Sequence, residues 1–485
     1  MAGSADVTIR RQVLEVELHG SAAEGHALQR RLPQVCSEVV SPAIEAALGA
    51  LDPGDSFLFL DQLSIDLSLG SLDGFEAELA AAVRREIAEH FRRHPLRPTG
   101  AAQAAPEAGG VSQRTPAETV EDALVAFLRT GRLPWSFRLP PDRTVEQLVR
   151  EAWREAGGHH DPPAATLRRL RDVLGAPLCR ERLVLQFTPG FVMTLLRGLS
   201  PGVAADVERV AAVLGEPDPA TPAGRRFAIR VREAGLEAAV AGRTLAPAAL
   251  AASAWTAIGP RHREDRPLRA ALERAWPGST RTDEPPAPGS VRIDEPPAPG
   301  APPGRSDARS APSAADANEP GGGLLVDNAG LVLLHPFLTR FLGGLGVAVG
   351  DELVDPDRAL ALLHHLATGE LAAPEHQVTL AKVLCGVPSD RPSAADVGLT
   401  PAETAEATAL LTAAIGHWDA LRGTSPDALR AEFLQRRGVL AETPDGDWLL
   451  RVEARTVDIL LDQLPWGLSS FRLPWMHRLM MVEWQ

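Results

Sequence analysis

The sequence predicts a multi-domain, predominantly α-helical protein with a small α+β unit at the N-terminus and a β-hairpin element at the C-terminus. Three observations support this fold class. Apolar residues return at helical spacing through most of the chain, short segments alternate at period two, and proline-rich stretches interrupt both patterns. With 485 residues, the chain is long enough for two or three cores, since single domains usually hold about 100–200 residues.

An α+β domain is predicted over residues 1–97. Residues 7–18 and 65–69 alternate apolar and polar side chains, which is typical of strands. Residues 24–48 and 73–93 carry apolar residues at helical spacing, which predicts helices. Residues 98–114 are rich in Ala, Gly, Pro and Gln, so we expect a linker there.

A helical region is predicted over residues 115–276. Thr115 and Glu118 have the pattern of a capping box, with Pro116 at the first helical position, and Gly131 is placed to end that helix. Further helices are predicted at 145–156 and 164–174, each followed by a glycine. A bundle of this kind resembles a scaffold, because it offers no strand ends on which catalytic side chains could be mounted.

The clearest boundary is the proline-rich segment 277–323, which repeats itself as RTDEPPAPG (281–289) and RIDEPPAPG (292–300). So much proline with so few large apolar residues cannot bury enough surface to offset the entropy lost on ordering. The segment is therefore predicted to be a disordered linker. A spacer or tether and a neutral insertion are equally compatible with this composition.

A helical C-terminal domain with a terminal β-hairpin is predicted over residues 324–485. Helical patterns occupy 357–367, 374–384 and 401–421, and Thr400 with Glu403 forms a second capping box. The period then shortens to two. Val439 and the segment 448–452, on either side of a turn at 444–446, predict the hairpin, and 471–473 and 480–484 predict further strands.

Charge and composition exclude several classes of function. The net charge is −14 and the cations are arginines, with Lys382 as the only lysine, so the chain lacks the basic stripe that nucleic acid requires. No run of roughly 20 apolar residues suits a membrane span. The first twelve residues do not resemble a secretory signal, and three widely separated cysteines read as reduced thiols. We expect a cytoplasmic protein without membrane embedding.

Catalytic and metal-binding patterns each have a physical defect. Residues 198–202 (GLSPG) match a nucleophile elbow, but Pro201 has no N–H to donate to an oxyanion, so a helix boundary is the better interpretation. His364, His365, His376 and Cys385 match no zinc spacing. No dinucleotide fingerprint or phosphate loop is present. The sequence therefore predicts no catalytic residue, cofactor or metal, and a protein that is not an enzyme.

One tripeptide, Leu-Pro-Trp, recurs at the edges of predicted elements, at 133–135, 464–466 and 473–475. Proline fixes the turn, and tryptophan combines a large apolar area with one hydrogen-bond donor. Such a residue suits either a corner of the core or an interface hot spot. Core anchoring is favoured, because tryptophan is highly buried on average. The candidate anchors or partner contacts are Leu133, Pro134, Trp135, Leu464, Pro465, Trp466, Leu473, Pro474 and Trp475.

Several ordered blocks of sequence lie along the chain. Near the N-terminus they are residues 13–18, 60–67 (LDQLSIDL) and the acidic helix that begins at Phe75, and in the middle 127–135 (FLRTGRLPW). In the C-terminal third they are 328–331 (NAGL), 335–338 (HPFL), 362–369 (LLHHLATG), 382–386 (KVLCG), 417–418 (HW), 429–430 (LR), 433–436 (FLQR), 464–467 (LPWG) and 473–476 (LPWM). In combination these blocks resemble the tape measure proteins of phage-tail-like contractile injection systems, most strongly in the C-terminal third. Trp418 and Phe433 join the candidate anchors through these blocks.

The resemblance implies a non-enzymatic role in assembling a contractile particle, with tube and sheath length control and docking to baseplate and inner tube proteins. It transfers no catalytic residue. The 42 prolines argue against a ruler made of one continuous helix. An assembly chaperone or adaptor that does not remain in the mature particle is the alternative, which an acidic helical bundle would also suit. An enzyme delivered as cargo is the least supported class.

Overall fold

The computed structural model describes residues 7, 9, 12–18, 21–49, 57–60, 63–65, 74–93, 97–98, 111–140, 142–156, 161–213, 221–281 and 323–484. The chain forms two compact units. Unit 1 comprises Met1–Val125 and Leu133–Pro163, and unit 2 comprises Ala126–Arg132 and Ala164–Gln485. Helices dominate the described residues, which confirms the predominantly α fold class. The domain boundaries predicted from the sequence stay predictions.

The helices of unit 1 form where the apolar spacing predicts them. Helix α1 (Ala22–Val35) continues through a π-helical turn (Cys36–Val40) into α2 (Ser41–Gly49), and α3 spans Phe75–Arg93. Ser21 and Glu24 cap α1 reciprocally. Phe75, Leu79, Val83 and Ile87 recur every four residues, so they share one face of α3, which packs into a common core with α1 and α2.

The strands of unit 1 correct the sequence prediction. Strand β1 is Phe57–Leu60, and it pairs antiparallel with β3 (Val111–Arg114), beside the short β2 (Arg97–Pro98). The strand predicted over 7–18 is wrong for its described residues, which form no strand, and Val13 is 61% exposed. Alternating apolar and polar residues form a strand only where a second strand is available for hydrogen bonding and a core is available to cover the apolar face. Of the strand predicted over 65–69, Ile65 is not in a strand, and Leu67 and Leu69 lie outside the described residues.

Two capping boxes begin the next helices. In α4 (Pro116–Thr130), the Thr115 N–H donates to the Glu118 carboxylate at 2.9 Å and the Glu118 N–H donates to Thr115 Oγ1 at 3.2 Å, as predicted. Gly131 follows with a φ of +74°, which ends the helix. Helix α5 (Val145–Glu155) begins at Thr144 with a similar box. It belongs to unit 1, whereas the last turn of α4 belongs to unit 2.

Proline begins most helices in the first part of unit 2. The helices are α6 (Ala164–Val173), α7 (Pro177–Gln186), α8 (Pro189–Leu199), α9 (Pro201–Ala212), α10 (Pro222–Val240), α11 (Pro247–Ala257), α12 (Pro260–Arg263) and α13 (Arg266–Ala275). The first helical position needs no N–H donor, so proline is tolerated there. These prolines therefore mark the starts of successive short helices in the bundle.

The second part of unit 2 is also mainly helical. Its α-helices are α14 (His335–Gly344), α15 (Pro356–Thr368), α16 (Thr379–Leu384), α17 (Pro401–His417) and α18 (Pro426–Leu429), the last continuing as a π-helical turn (Arg430–Leu434). Four short 3₁₀ helices are described in this part, at Ala329–Leu334, Glu375–Gln377, Asp419–Leu421 and Thr456–Gln463. The capping box predicted at Thr400 and Glu403 is present at the start of α17.

A five-stranded sheet completes unit 2. Its strands, in the order β4-β7-β8-β10-β9, are β4 (Leu324–Val326), β7 (Gly438–Glu442), β8 (Trp448–Val452), β10 (Met480–Trp484) and β9 (Ser470–Phe471). The predicted hairpin is confirmed as β7 and β8, with Leu440 opposite Leu450. Strand β10 runs parallel to β8, a pairing that sequence patterns could not supply. A separate pair, β5 (Ala348–Val349) and β6 (Glu352–Leu353), forms a small hairpin.

Residues 164–281 and 323–484 pack together within unit 2. The Ala395 N–H donates to the Leu185 carbonyl at 3.0 Å, and Gln186 Nε2 donates to the Ser393 carbonyl at 2.7 Å. The proline-rich segment therefore does not hold these two parts apart. Its residues 282–322 lie outside the described residues. No helix among the described residues is long and apolar enough to cross a membrane.

Candidate functional site

A buried cluster of ionised side chains connects α7 with the residues around α16. Arg182, Glu375 and Lys382 are each at most 1% exposed. Arg182 Nε donates to Glu375 Oε2 at 2.9 Å, and Lys382 Nζ donates to Glu375 Oε1 at 2.6 Å. Both carboxylate oxygens are therefore committed to cations, as a buried charge requires.

Lys382 is the only lysine of the chain, and the structure explains the choice of residue. Its ammonium donates to Glu375 Oε1 and to the carbonyls of Ser389 at 3.2 Å and Arg391 at 2.7 Å. Three donors thus meet three oxygens, which the planar fork of an arginine would not match. Burial lowers the pKa of Lys382, and the Glu375 carboxylate opposes that shift.

The same cluster satisfies the end of α4. Arg182 donates through Nη1 to the Leu128 carbonyl and through Nη2 to the Asp390 carbonyl, each at 2.6 Å. Leu128 lies in the last turn of α4, where carbonyls have no partner within the helix. A Cβ on Gly131 would lie 2.4 Å from Glu375 Oε1, and its φ is positive, so glycine is required there on two grounds. The cluster therefore holds the end of α4 and helix α7 to the residues around α16.

Several of the predicted anchors lie in the core of unit 2. Trp418 is 2% exposed, donates from Nε1 to the Leu460 carbonyl at 3.1 Å and meets Phe433 edge to face at 5.0 Å between ring centroids. Trp475 is 6% exposed and donates to the Leu384 carbonyl at 2.8 Å. Leu473 is buried beside it, and Pro474 is exposed. These contacts fit the core-corner interpretation of the tripeptide.

The tripeptide at 133–135 has a different setting. It lies in unit 1, directly after Arg132, and the Phe137 N–H closes a turn onto the Pro134 carbonyl at 2.9 Å. Leu133 and Pro134 are half-buried, and Trp135 is 40% exposed. Identical tripeptides thus occupy unlike environments, and their role as partner contacts stays a prediction.

Leu464 and Trp466 of the third tripeptide line a groove with a volume of about 330 Å³. Trp466 is held there by a hydrogen bond from Nε1 to the Leu333 carbonyl at 3.0 Å and by an edge-to-face contact with Phe337 at 5.2 Å. Pro465 is exposed. We call this surface the tryptophan groove; its apolar lining comprises Ala454, Leu461, Leu464, Trp466, Leu468 and Trp484.

Two aspartates, Asp458 and Asp462, also line the tryptophan groove. Arg436, which is fully buried, donates to both oxygens of Asp458 at 2.8 Å, and Trp484 Nε1 donates to Oδ2 at 3.0 Å. Burial alone would raise the pKa of Asp458, but the hydrogen bonds from Arg436, the Arg455 backbone and Trp484 outweigh it and lower that pKa. Asp458 therefore fixes the Trp484 ring, whereas Asp462 is exposed.

Residues of the weaker catalytic and metal patterns have structural settings. Ser200 ends α8 and precedes α9, which confirms the helix boundary. His364 and His376 are kept neutral at pH 7, because burial, with smaller contributions from neighbouring histidines, lowers the pKa of each to about 4. Burial raises the pKa of the Cys385 thiol. Among the residues that the structure describes, no group of three or more His, Cys, Asp or Glu could hold a metal ion.

Sequence reasoning assigned no role to Arg182 or Glu375, which belong to the buried cluster, or to Arg436, which pairs with Asp458. A single signal pointed to the buried cluster, namely the lone lysine in a chain whose other cations are arginine. Glu375, which binds this lysine, also binds Arg182. The two residues are 193 positions apart in the sequence, and no spacing rule connects positions that far apart.

A comparison with known protein families identifies the family of this chain. The family model described as contractile injection system tape measure protein matches residues 5–484. No curated protein and no solved structure gives a significant match. Because the family model covers nearly the whole chain, the protein belongs to the contractile injection system tape measure protein family.

Proposed function

We propose that this chain is a non-enzymatic docking component that acts in the cytoplasm during assembly of a contractile injection system and binds baseplate and inner tube proteins. The match of the tape measure family model to residues 5–484 carries the proposal. The buried cluster supports it, because the charged groups of Arg182, Glu375 and Lys382 bind one another and neighbouring carbonyls within unit 2.

Helix lengths favour docking over measurement by one rigid helix. The longest uninterrupted α-helices among the described residues, α3 and α10, have 19 residues each, and the continuous run of α1, the π-helical turn and α2 covers residues 22–49. At 1.5 Å per residue even that run reaches only about 42 Å. Any contribution of this chain to tube and sheath length therefore comes from other segments or from several copies.

The composition of purified particles tests the proposal. Mass spectrometry of intact particles should detect this chain together with baseplate and tube proteins. Its absence from intact particles, with particles failing to form when the gene is deleted, would instead indicate an assembly chaperone that leaves before maturation. Free baseplate complexes from a strain that lacks the tube protein provide the matched sample for the docking step.

Length control is tested separately by deleting residues 281–300, the tandem repeat. The docking proposal expects particles of unchanged length and normal yield. Shorter particles would assign length setting to this segment. A variant that replaces the same 20 residues with a Gly/Ser stretch is the control, because it preserves contour length and removes the sequence.

A further inference from the structure

The 3₁₀ segment Thr456–Gln463 exposes one large apolar side chain, Ile459, while Val457, Leu460 and Leu461 are half-buried against the core. Its sequence, TVDILLDQ, contains four apolar residues, and none of its residues is buried. Ile459 is 72% exposed. The segment borders the tryptophan groove through Leu461 and Asp462. The largely half-buried apolar lining of the groove, with an exposed isoleucine on the segment that borders it, is typical of a surface that binds a partner.

The groove is ordered before any partner binds. Hydrogen bonds hold both of its indoles, that of Trp466 to the Leu333 carbonyl and that of Trp484 to Asp458. The guanidinium of Arg436 lies 5.5 Å from the centroid of the Trp484 ring. Aromatic side chains fixed in this way lose little further entropy on binding, which favours affinity.

Charge identifies the kind of partner. Asp458 is neutralised by Arg436, but Asp462 is exposed and makes no ion pair with any described residue. The chain as a whole carries a net charge of −14. A second copy would bring the same acidic character to the groove, so a basic partner is the complementary one.

We propose that the tryptophan groove binds a segment of another protein of the particle, in which one large apolar side chain is flanked by arginine or lysine. The apolar side chain fills the space between Leu461, Trp466 and Trp484, and the basic side chain pairs with Asp462. This inference rests on the proposed docking function and assigns that function to a specific surface.

Photo-crosslinking during particle assembly tests it. Ile459 is replaced by p-benzoylphenylalanine in the full chain, which is expressed with all other particle proteins, and the crosslinked peptide is sequenced by mass spectrometry. Val349, which is 63% exposed on β5, is the control position. We expect position 459 to crosslink to one segment of another particle protein that carries Arg or Lys within two residues of an apolar side chain. Position 349 should not give this product.

A charge reversal provides the second readout. Asp462→Lys should lower the yield of the 459 crosslink about tenfold, since it places like charges opposite each other. Asp445→Lys, at the turn between β7 and β8, is the matched control and should leave the yield unchanged. A crosslink to a second copy, a crosslink to an acidic segment, or no crosslink although the chain is retained in particles would each overturn the inference. Absence of the chain from particles and free baseplates would reject the docking function itself.

Discussion

Lys382 Nζ lies 2.6 Å from Glu375 Oε1, and each of these residues is 1% exposed. Glu375 also accepts from Arg182, whose helix precedes the proline-rich segment, whereas Lys382 follows it. One carboxylate thus links parts of unit 2 that are far apart in sequence. Buried ion pairs add little stability beyond a well-packed apolar replacement, but the loss of one member leaves buried charge without compensation.

Glu375→Gln should therefore destabilise unit 2 strongly. The substitution preserves size but leaves Arg182 and Lys382 buried without their counter-charge, and we expect a loss of about 3–5 kcal/mol. Urea denaturation followed by circular dichroism measures it. Asp427→Asn is the control, because the Asp427 side chain is 88% exposed in its ion pair with Arg430. Equal midpoints for wild type and Glu375→Gln would show that the cluster does not hold the unit together.

Gly131→Ala should destabilise the end of α4, where Gly131 lies close to Glu375. Its φ of +74° strains any L side chain, and the added Cβ would meet Glu375 Oε1 at 2.4 Å. We expect a loss of about 1–3 kcal/mol in the free energy of unfolding. Gly202→Ala in α9 is the matched control, since its Cβ meets nothing within 4 Å, and it should be neutral or slightly stabilising. A stable Gly131→Ala protein would contradict the close approach of Glu375.

The tryptophans of the repeated tripeptide should differ in their contribution to stability. Trp475→Ala removes a buried indole and leaves the Leu384 carbonyl without its donor, which should cost about 3–5 kcal/mol. Trp135→Ala, at a 40% exposed position, should cost less than about 1 kcal/mol. Thermal unfolding of both variants provides the comparison. Similar losses for the two would mean that Trp135 is also a core residue.

Acid should destabilise the protein partly through His364. Burial lowers the folded-state pKa of His364 from 6.5 to about 4, so below pH 6.5 the unfolded state binds the proton first. Stability is then complete above pH 6.5 and falls as the pH decreases toward 4. Between pH 7 and pH 5 this amounts to about 2 kcal/mol for one histidine.

Comparison of urea midpoints at pH 7 and pH 5 measures this effect. His364→Leu should show a smaller pH dependence than wild type, even if its stability at pH 7 changes. His477→Gln, at an exposed position, should retain the wild-type dependence. An unchanged slope in His364→Leu would show that His364 is not buried in its neutral form.

Local signals in the sequence located several helices, among them α4, α6, α15 and α17. The capping residues Thr115 and Thr400 and the stop at Gly131 lie where predicted, because caps are set by hydrogen bonds within four residues. The hairpin of β7 and β8 was predicted for the same reason, since its turn and its alternation are adjacent. The strand predicted over 7–18 failed, because alternation alone does not supply a pairing strand.

The sequence by itself determined the helical class, the family resemblance and the positions of the recurring tripeptides. The tertiary structure decided which tryptophans are buried, that β10 lies parallel to β8, and that Arg182, Glu375 and Lys382 form one cluster. The physical reason is the range of the interactions. Caps and periodicity act within a few residues, whereas burial and charge pairing depend on neighbours that only the packed chain brings together.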